Sequence, residues 1–369
     1  MVHMRQSFAA LTVALAFLPS VARAVTYDHV VVVMLENHSY QEILSDPGAT
    51  YINNTLRPQS ADITGSYGLQ HPSQPNYHWL FSGSNQGITT DTPPTSQIFS
   101  TPNLASGLIA SGRTFGGYAD AYPGEANRFQ DTTNYAVRHV PWLAYTNVPA
   151  SLTQDFSSFP TTAAGFASLP TVSFVIPALN HDMHDYNDSG GEVFDQTTSL
   201  EAIDKGDAWL HDNLDAYINW AKTNNSLFIL VTDEDSSADW PLPATGEQNG
   251  EGYTASNLGP NSNNPGNSGP NQITTLFAGA NIVPGQYAEG ANAEGGGITN
   301  VNVLRTIESF YGLSPNGAQS PLALSAGAND LPITDIFAVP EPSIIALIGL
   351  AGAGMLFALR RRARRQAAQ

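Results

Sequence analysis

Four short runs of mostly apolar, branched side chains constrain this chain most: His29–Met34, Thr171–Ile176, Leu227–Val231 and Thr274–Phe277. Each is four to six residues long and lacks the polar alternation of a half-exposed strand. Such runs predict strands covered on both faces, the usual situation of parallel strands. Helical periodicity lies between or after them. Leu210, Leu214, Tyr217, Ile218 and Ala221 recur at helical spacing, as do Val303, Leu304, Ile307, Phe310 and Tyr311. The alternation predicts an α/β fold with a mainly parallel central sheet and helices on both faces. A chain of 369 residues can bury a sizeable core, as one large domain or two smaller ones. The segment from Pro241 to Asn271 is rich in Asn, Gly and Pro and reads as a long surface loop.

The residues that follow the strands carry the chemistry. The first run ends in Glu36-Asn37, the second leads into Asn180-His181-Asp182-Met183-His184-Asp185, and the third ends in Asp233-Glu234-Asp235. In an open parallel sheet, ligands bind beyond the carboxyl ends of the strands. Three strands would then deliver carboxylates, an amide and imidazoles to one edge, a donor set suited to a divalent cation. Any one of these motifs alone would read as a helix cap or a solvated turn; their coincidence at three strand ends favours a site.

A fourth element is His71-Pro72-Ser73-Gln74-Pro75-Asn76-Tyr77, followed by a helical stretch His78–Ser82 and then Gly83. Pro75 suits a first helical turn, which puts Ser73 just ahead of the helix N-terminus. Free N–H groups and the helix dipole favour an anion there. A serine hydroxyl so placed could attack phosphorus if a metal lowered its pKa. The competing reading is that Ser73 merely caps the helix.

Only 12% of residues are charged. Between residues 25 and 338, seven basic side chains face 31 acidic ones, a balance of −24. A body this acidic repels nucleic-acid phosphates within a Debye length of about 8 Å, so nucleic-acid binding is a poor reading. The absence of Cys excludes disulfides and thiolate metal sites. At the N-terminus, Met4-Arg5, the apolar run Phe8–Val21 and Ala22-Arg23-Ala24 read as a secretory signal peptide, residues 1–24, with the mature chain starting near Val25. At the other end, Val339-Pro340-Glu341-Pro342 precedes seventeen largely apolar residues, Ser343–Leu359, and then an Arg-rich tail. That length sits at the lower limit for a membrane span, and the Arg cluster would face the cytoplasm. This tripartite tail, residues 339–369, resembles the PEP-CTERM sorting signal of Gram-negative bacteria. The resemblance implies an exosortase-like sorting enzyme as partner and transient membrane association before the tail is removed. Export to the periplasm, cell surface or extracellular matrix would follow, leaving residues 25–338 as the working domain.

A second resemblance rests on motifs that occur in one order. They are Glu36-Asn37-His38-Ser39, the stretch His71–Tyr77, Asp182-Met183-His184-Asp185, Gly206-Asp207 with Trp209-Leu210, Thr232-Asp233-Glu234-Asp235 and Leu304-Arg305-Thr306-Ile307-Glu308. As a set they resemble the bacterial and fungal acid phosphatase and phospholipase C family of the alkaline phosphatase superfamily. The resemblance implies a three-layer α/β/α sandwich that hydrolyses phosphate esters through a phosphoenzyme at one divalent metal ion of unknown identity. By motif, Glu36, Asn37, Ser73, Asp233 and Glu234 would ligate the metal, and Ser73 would be the nucleophile. His184 would contact phosphate or protonate the leaving group. His139, in Arg138-His139-Val140-Pro141, sits in what resembles a Lys-His-Asn-Pro segment and would also bind phosphate. Asn76 resembles an Asn that follows the nucleophile in related enzymes. Asn300 stands where many members have His, which argues against a two-metal site. Nearby carboxylates would raise the His184 pKa and a metal would oppose the rise, giving an acid-to-neutral activity maximum if the imidazolium is needed. A phosphate monoesterase is the leading expectation. The alternatives are a phospholipase C or other phosphodiesterase, and a non-catalytic surface or matrix protein.

Overall fold

The computed structural model describes residues 25–184, 196–235, 271–288, 298–317 and 331–338. The signal peptide, the sorting tail, Asp185 and nearly all of the Pro241–Asn271 segment lie outside the described residues. Among the described residues no helix is long and apolar enough to cross a membrane.

The strands in chain order are β1 (His29–Leu35), β2 (Ala61–Ile63), β3 (Ser66–Tyr67), β4 (Phe115–Ala119) and β5 (Thr153–Asp155). They continue with β6 (Val172–Ile176), β7 (Ser226–Thr232), β8 (Thr275–Gly279), β9 (Gly285–Tyr287) and β10 (Ile298–Thr299). Eight of them form one sheet in the order β5-β4-β6-β1-β7-β8-β2-β9, while β3 and β10 pair separately. The α-helices are α1 (Tyr40–Ser45), α2 (Ser73–Ser82), α3 (Leu104–Ala110), α4 (Ala163–Phe166), α5 (Gln196–Ala221) and α6 (Asn300–Tyr311).

The unbroken Val-Val-Val-Val run of β1 follows from its position at the centre. Val30, Val32 and Met34 join a cluster with Tyr77, Leu80 and Phe81 of α2, Leu104 and Leu108 of α3, and Leu304 and Ile307 of α6. Val31, Val33 and Leu35 join another with Leu210, Leu214, Tyr217 and Ile218 of α5. With both faces covered there is no reason for polar alternation, and the three-layer α/β/α architecture results.

One expected strand runs the other way. β8 is antiparallel to β7, with Leu227 opposite Gly279 and Val231 opposite Thr275. The chain re-enters the sheet beside the point where β7 leaves it: Thr232 N–H donates to the Thr274 carbonyl at 2.9 Å. A return at the same edge must pair antiparallel, whereas a parallel partner needs a crossover to the opposite end.

Strand β4 escaped the sequence pattern because Gly116-Gly117 dilute its apolar character. Both glycines are required by close approach. A Cβ on Gly117 would lie 2.2 Å from Trp142 Cε2, and one on Gly116 would lie 2.7 Å from Pro170 Cγ. Trp142 is fully buried and its indole N–H donates to Thr153 Oγ1 at 2.9 Å, so the ring cannot retreat without losing that bond. Gly117→Ala should therefore destabilise by about 1–3 kcal/mol through overpacking. In a site with room, the same change would stabilise by about 0.4–1 kcal/mol. The sign of the shift in urea midpoint decides the matter, and an unchanged or raised midpoint would refute the clash.

Candidate active site

The ends of β1, β6 and β7 are tied together by backbone and side-chain hydrogen bonds. Glu36 N–H donates to the Asp182 carbonyl at 2.7 Å and Asp233 N–H to the Leu35 carbonyl at 3.0 Å. Asn37 turns the chain out of β1 with φ +43°, a left-handed conformation that Asn tolerates better than most residues. Its N–H is held by Asp233 Oδ1 at 3.0 Å. These bonds fix Glu36, Asn37, Asp182, Asp233 and Glu234 at one sheet edge, and all but Asn37 are buried there.

Helix α2 faces them. It begins at Ser73, earlier than the placement of Pro75 in the first turn alone suggested, and its N-cap is Pro72. Ser73 therefore does not cap the helix. Its Oγ lies 3.0 Å from Glu36 Oε2, 3.1 Å from Asn37 Oδ1 and 3.1 Å from Glu234 Oε1. One hydroxyl proton cannot satisfy three acceptors. The Asn37 amide can present either edge to this cluster. With Oδ1 inward it meets only acceptors; turned over, Nδ2 lies 3.1–3.3 Å from the same three groups and Oδ1 lies 2.8 Å from His184 Nε2. The inward orientation brings four oxygens from four side chains together, an arrangement a cation would satisfy, whereas the turned orientation satisfies it with hydrogen bonds alone.

The electrostatics agree. Burial pushes Glu36 well above the usual carboxylate range, Tyr77 and Arg138 opposing and Glu234 adding to the rise. Burial likewise raises Asp233, with Glu36 and Glu234 adding, and Asp182, with Glu36 adding. Burial raises Glu234 too, although His71 opposes it. These groups cannot all be ionised side by side in a buried site without positive charge between them. Among the described residues, no three His, Asp or Glu side chains converge closely enough to hold an ion by themselves. The converging set is instead two carboxylates, an amide and a hydroxyl, a hard-oxygen set that fits a divalent cation. Asp233 stands behind it, engaged with the Asn37 N–H.

His139 is 1% exposed, its Nε2 3.3 Å from Glu36 Oε1 and its ring stacked on Tyr77 at 4.8 Å between centroids. His184 is 6% exposed, with its N–H donating to Asp182 Oδ1 at 2.9 Å. Burial, then the Arg138 charge, then His38, hold His184 down to about 3. The expected rise from surrounding carboxylates does not occur, because a buried imidazolium loses its hydration and the carboxylates are themselves driven towards neutrality. Burial likewise holds His139 well below its ordinary value, with the Arg138 charge and then His184 adding. Asn76 is fully buried and occupied: its Oδ1 accepts from the Leu69 and Gln70 N–H groups at 3.2 and 3.1 Å. Its Nδ2 donates to the Gln70 carbonyl at 2.8 Å and reaches Glu234 Oε2 at 3.4 Å. That geometry positions Glu234 and the loop before Ser73.

Sequence reasoning assigned no role to His71 or Tyr77. Tyr77 donates its hydroxyl to Glu36 Oε1. His71 is clamped between Glu234 Oε2 at 2.8 Å and Asp235 Oδ1 at 2.9 Å. Burial alone would lower its pKa, but Glu234 and Asp235 prevail and raise it to about 10, so it is an imidazolium at neutral pH. Both residues stand in the same seven-residue stretch as Ser73, which was the available signal. The Gly206-Asp207 motif is structural: Asp207 accepts from Tyr51 and Ile52 N–H at 2.8 and 2.7 Å. Arg305 and Glu308 pair with each other at 2.7 Å in the core of α6. Asn271, the end of the expected surface loop, is buried and accepts the Asp235 N–H at 2.6 Å.

Comparison with known proteins places this geometry. The phosphoesterase family profile matches residues 59–314, and the PEP-CTERM protein-sorting motif matches residues 338–362. A phosphatidylinositol-3-phosphatase of Mycobacterium tuberculosis is 36% identical over 85% of this chain and 83% of its own length. An acid phosphatase of Aspergillus fumigatus is 26% identical over 56% of this chain and 44% of its own length. The solved lipoteichoic acid synthase LtaP from Listeria monocytogenes shares the fold, with a TM-score of 0.51 and 12% identity over 85% of this chain and 76% of that one. The profile match and the 36% identity across most of both chains decide the family: this chain belongs to the phosphoesterase family and is a hydrolase of phosphate-ester bonds.

Proposed function

We propose that the chain is an exported, metal-dependent phosphatase that hydrolyses phosphate monoesters through a phosphoserine at Ser73. The observation that carries this reading is the Ser73 hydroxyl lying within 3.1 Å of Glu36, Asn37 and Glu234 oxygens. Glu36, Asn37, Ser73 and Glu234 would hold the metal, with Asp233 behind them. A divalent cation there supplies charge to favour the serine alkoxide and to offset the phosphate oxygens. Ser73 Oγ attacks phosphorus, its proton passes to a neighbouring carboxylate, and the bond to the leaving oxygen breaks. Water then cleaves the phosphoserine. Neutral His184 and His139 are suited to donate a ring N–H to phosphate oxygens without adding charge, and Asn76 and Tyr77 hold Glu234 and Glu36 in place.

The monoester reading draws on the relatives, both of which are named as phosphatases. The name of the mycobacterial one extends the candidate substrates to a lipid-borne phosphate monoester. Sorting to the cell envelope follows from the tail motif at residues 338–362, with removal by an exosortase-like enzyme.

The test uses residues 25–338 alone, since none of the motifs of the site lies in either end. This chain should be soluble, retain metal and turn over an aryl phosphate and a phosphatidylinositol monophosphate. It should act much more slowly on a bis-aryl phosphate or phosphatidylcholine. Faster turnover of either diester would replace the monoesterase reading with a phosphodiesterase or phospholipase C.

A further inference from the structure

Helix α2 carries Ser73 at its first position, yet it has no cap of its own. The residue before it is Pro72, and no side-chain cap bond is made there. A helix start leaves four backbone N–H positions open, and here Pro72 and Pro75 contribute no N–H at all. Ser73 and Gln74 therefore carry the two donors that open the helix, and an acceptor for them has to come from elsewhere in the chain.

It comes from seventeen residues downstream. The chain leaves α2 at Gly83, and by Asp91 it is back at the helix start, where Gln74 N–H donates to Asp91 Oδ1 at 2.9 Å. The Gln74 side chain is held by the same segment. It is 2% exposed, and with its amide turned to donate, Nε2 lies 2.9 Å from the Thr92 carbonyl and 3.1 Å from the Thr90 carbonyl. Three consecutive residues thus hold the neighbour of Ser73 by its backbone and its side chain. The strap is anchored further along as well. Gln97 Nε2 donates to the Tyr145 and Val148 carbonyls at 2.7 and 3.1 Å, and Phe99 N–H donates to the Ala144 carbonyl at 2.9 Å.

The first turn of α2 sets the direction of the Ser73 Cα–Cβ bond. Ser73 Oγ has to meet oxygens of Glu36, Asn37 and Glu234 at 3.0–3.1 Å, and the Asp91 bond pins that turn one residue away. Resting on the phosphatase reading above, we propose that Asp91 is a positioning residue for the nucleophile. Its carboxylate takes the place of the missing N-cap and aims Ser73 Oγ at Glu36, Asn37 and Glu234, while Asp91 itself does no chemistry.

Asp91→Ala should lower kcat on an aryl phosphate by about 10- to 100-fold and change KM by less than about 3-fold, because a misaligned nucleophile slows attack without weakening ground-state binding. Asp91→Asn keeps an oxygen that accepts the Gln74 N–H and should recover most of the rate. Asp91→Glu moves the acceptor out by one methylene and should lower kcat in the same direction, which serves if Asp91→Ala does not fold. Thr162→Ala removes the side-chain cap of α4, beside the C-terminal end of α5, and should lower Tm while leaving kcat alone. A second readout does not need turnover. Mn2+ titrated calorimetrically should bind Asp91→Ala at least about 3-fold more weakly than wild type, yet Asp91→Ala should add no further loss on a Ser73→Ala background. The assignment would be overturned by a kcat within about 3-fold of wild type in folded, metal-loaded Asp91→Ala, or by a KM change larger than the kcat change. Asp91→Asn no better than Asp91→Ala, or equal losses of Mn2+ affinity with and without the Ser73 hydroxyl, would overturn it too. A wild-type protein that turns over no phosphate ester would instead defeat the phosphatase reading, and the Mn2+ titrations would still decide the role of Asp91.

Discussion

Ser73→Ala should reduce turnover by at least about 1,000-fold while leaving the fold intact and the metal largely retained by Glu36, Asn37 and Glu234, because it removes the atom that forms the covalent bond to phosphorus. The fold should tolerate the change. Ser73 makes no capping hydrogen bond to the helix, and its hydroxyl serves only Glu36, Asn37 and Glu234. Removing it from between acidic oxygens leaves no buried donor unpaired. Steady-state kinetics on an aryl phosphate, with metal content and circular dichroism in parallel, checks this. A variant within a few-fold of wild type would move the attack to a water molecule and remove Ser73 from the covalent role.

Glu36→Gln and Glu234→Gln should each lose metal and activity together, with metal affinity falling by more than about 100-fold. Each substitution preserves shape and removes one of the two carboxylates that approach Ser73. The two differ in what remains. Glu36 also accepts from Tyr77 and faces His139, whereas Glu234 is paired with a charged His71. Glu234→Gln therefore leaves an imidazolium with Asp235 as its remaining carboxylate partner, and should destabilise the apoprotein more than Glu36→Gln does. Elemental analysis, activity and thermal unfolding of the two variants would show it. Full activity in wild-type protein shown to be metal-free after chelation would defeat the metal assignment for both.

Much of this site was legible in the amino-acid order because parallel sheets put their loops at one edge. Once three apolar runs are read as parallel strands, the residues after each must gather, and Glu36, Asp182, Asp233 and Glu234 do gather. Other parts were not legible. Glycine-rich β4 carries no strand signal, since its glycines answer to Trp142 and Pro170, which approach from elsewhere in the chain. The direction of β8 depends on where the chain re-enters the sheet, which local pattern does not encode. His71 and Tyr77 were visible as neighbours of Ser73, but their roles come from Glu234, Asp235 and Glu36, partners far off in sequence.

What the sequence determined by itself was therefore the α/β class, the sheet edge where the acidic residues gather and the C-terminal sorting motif, because periodicity and motif order are local properties of the chain. Only the tertiary structure decided which way the pKa of each group at that edge is pushed. His184 sits low and His71 high although both are buried beside acids. The difference lies in contact: His71 touches two carboxylates within 2.9 Å, while His184 is buried against an amide and feels the Arg138 charge. Charge in a buried site is set by distances of a few ångströms between residues tens to hundreds of positions apart, and no linear pattern contains those distances.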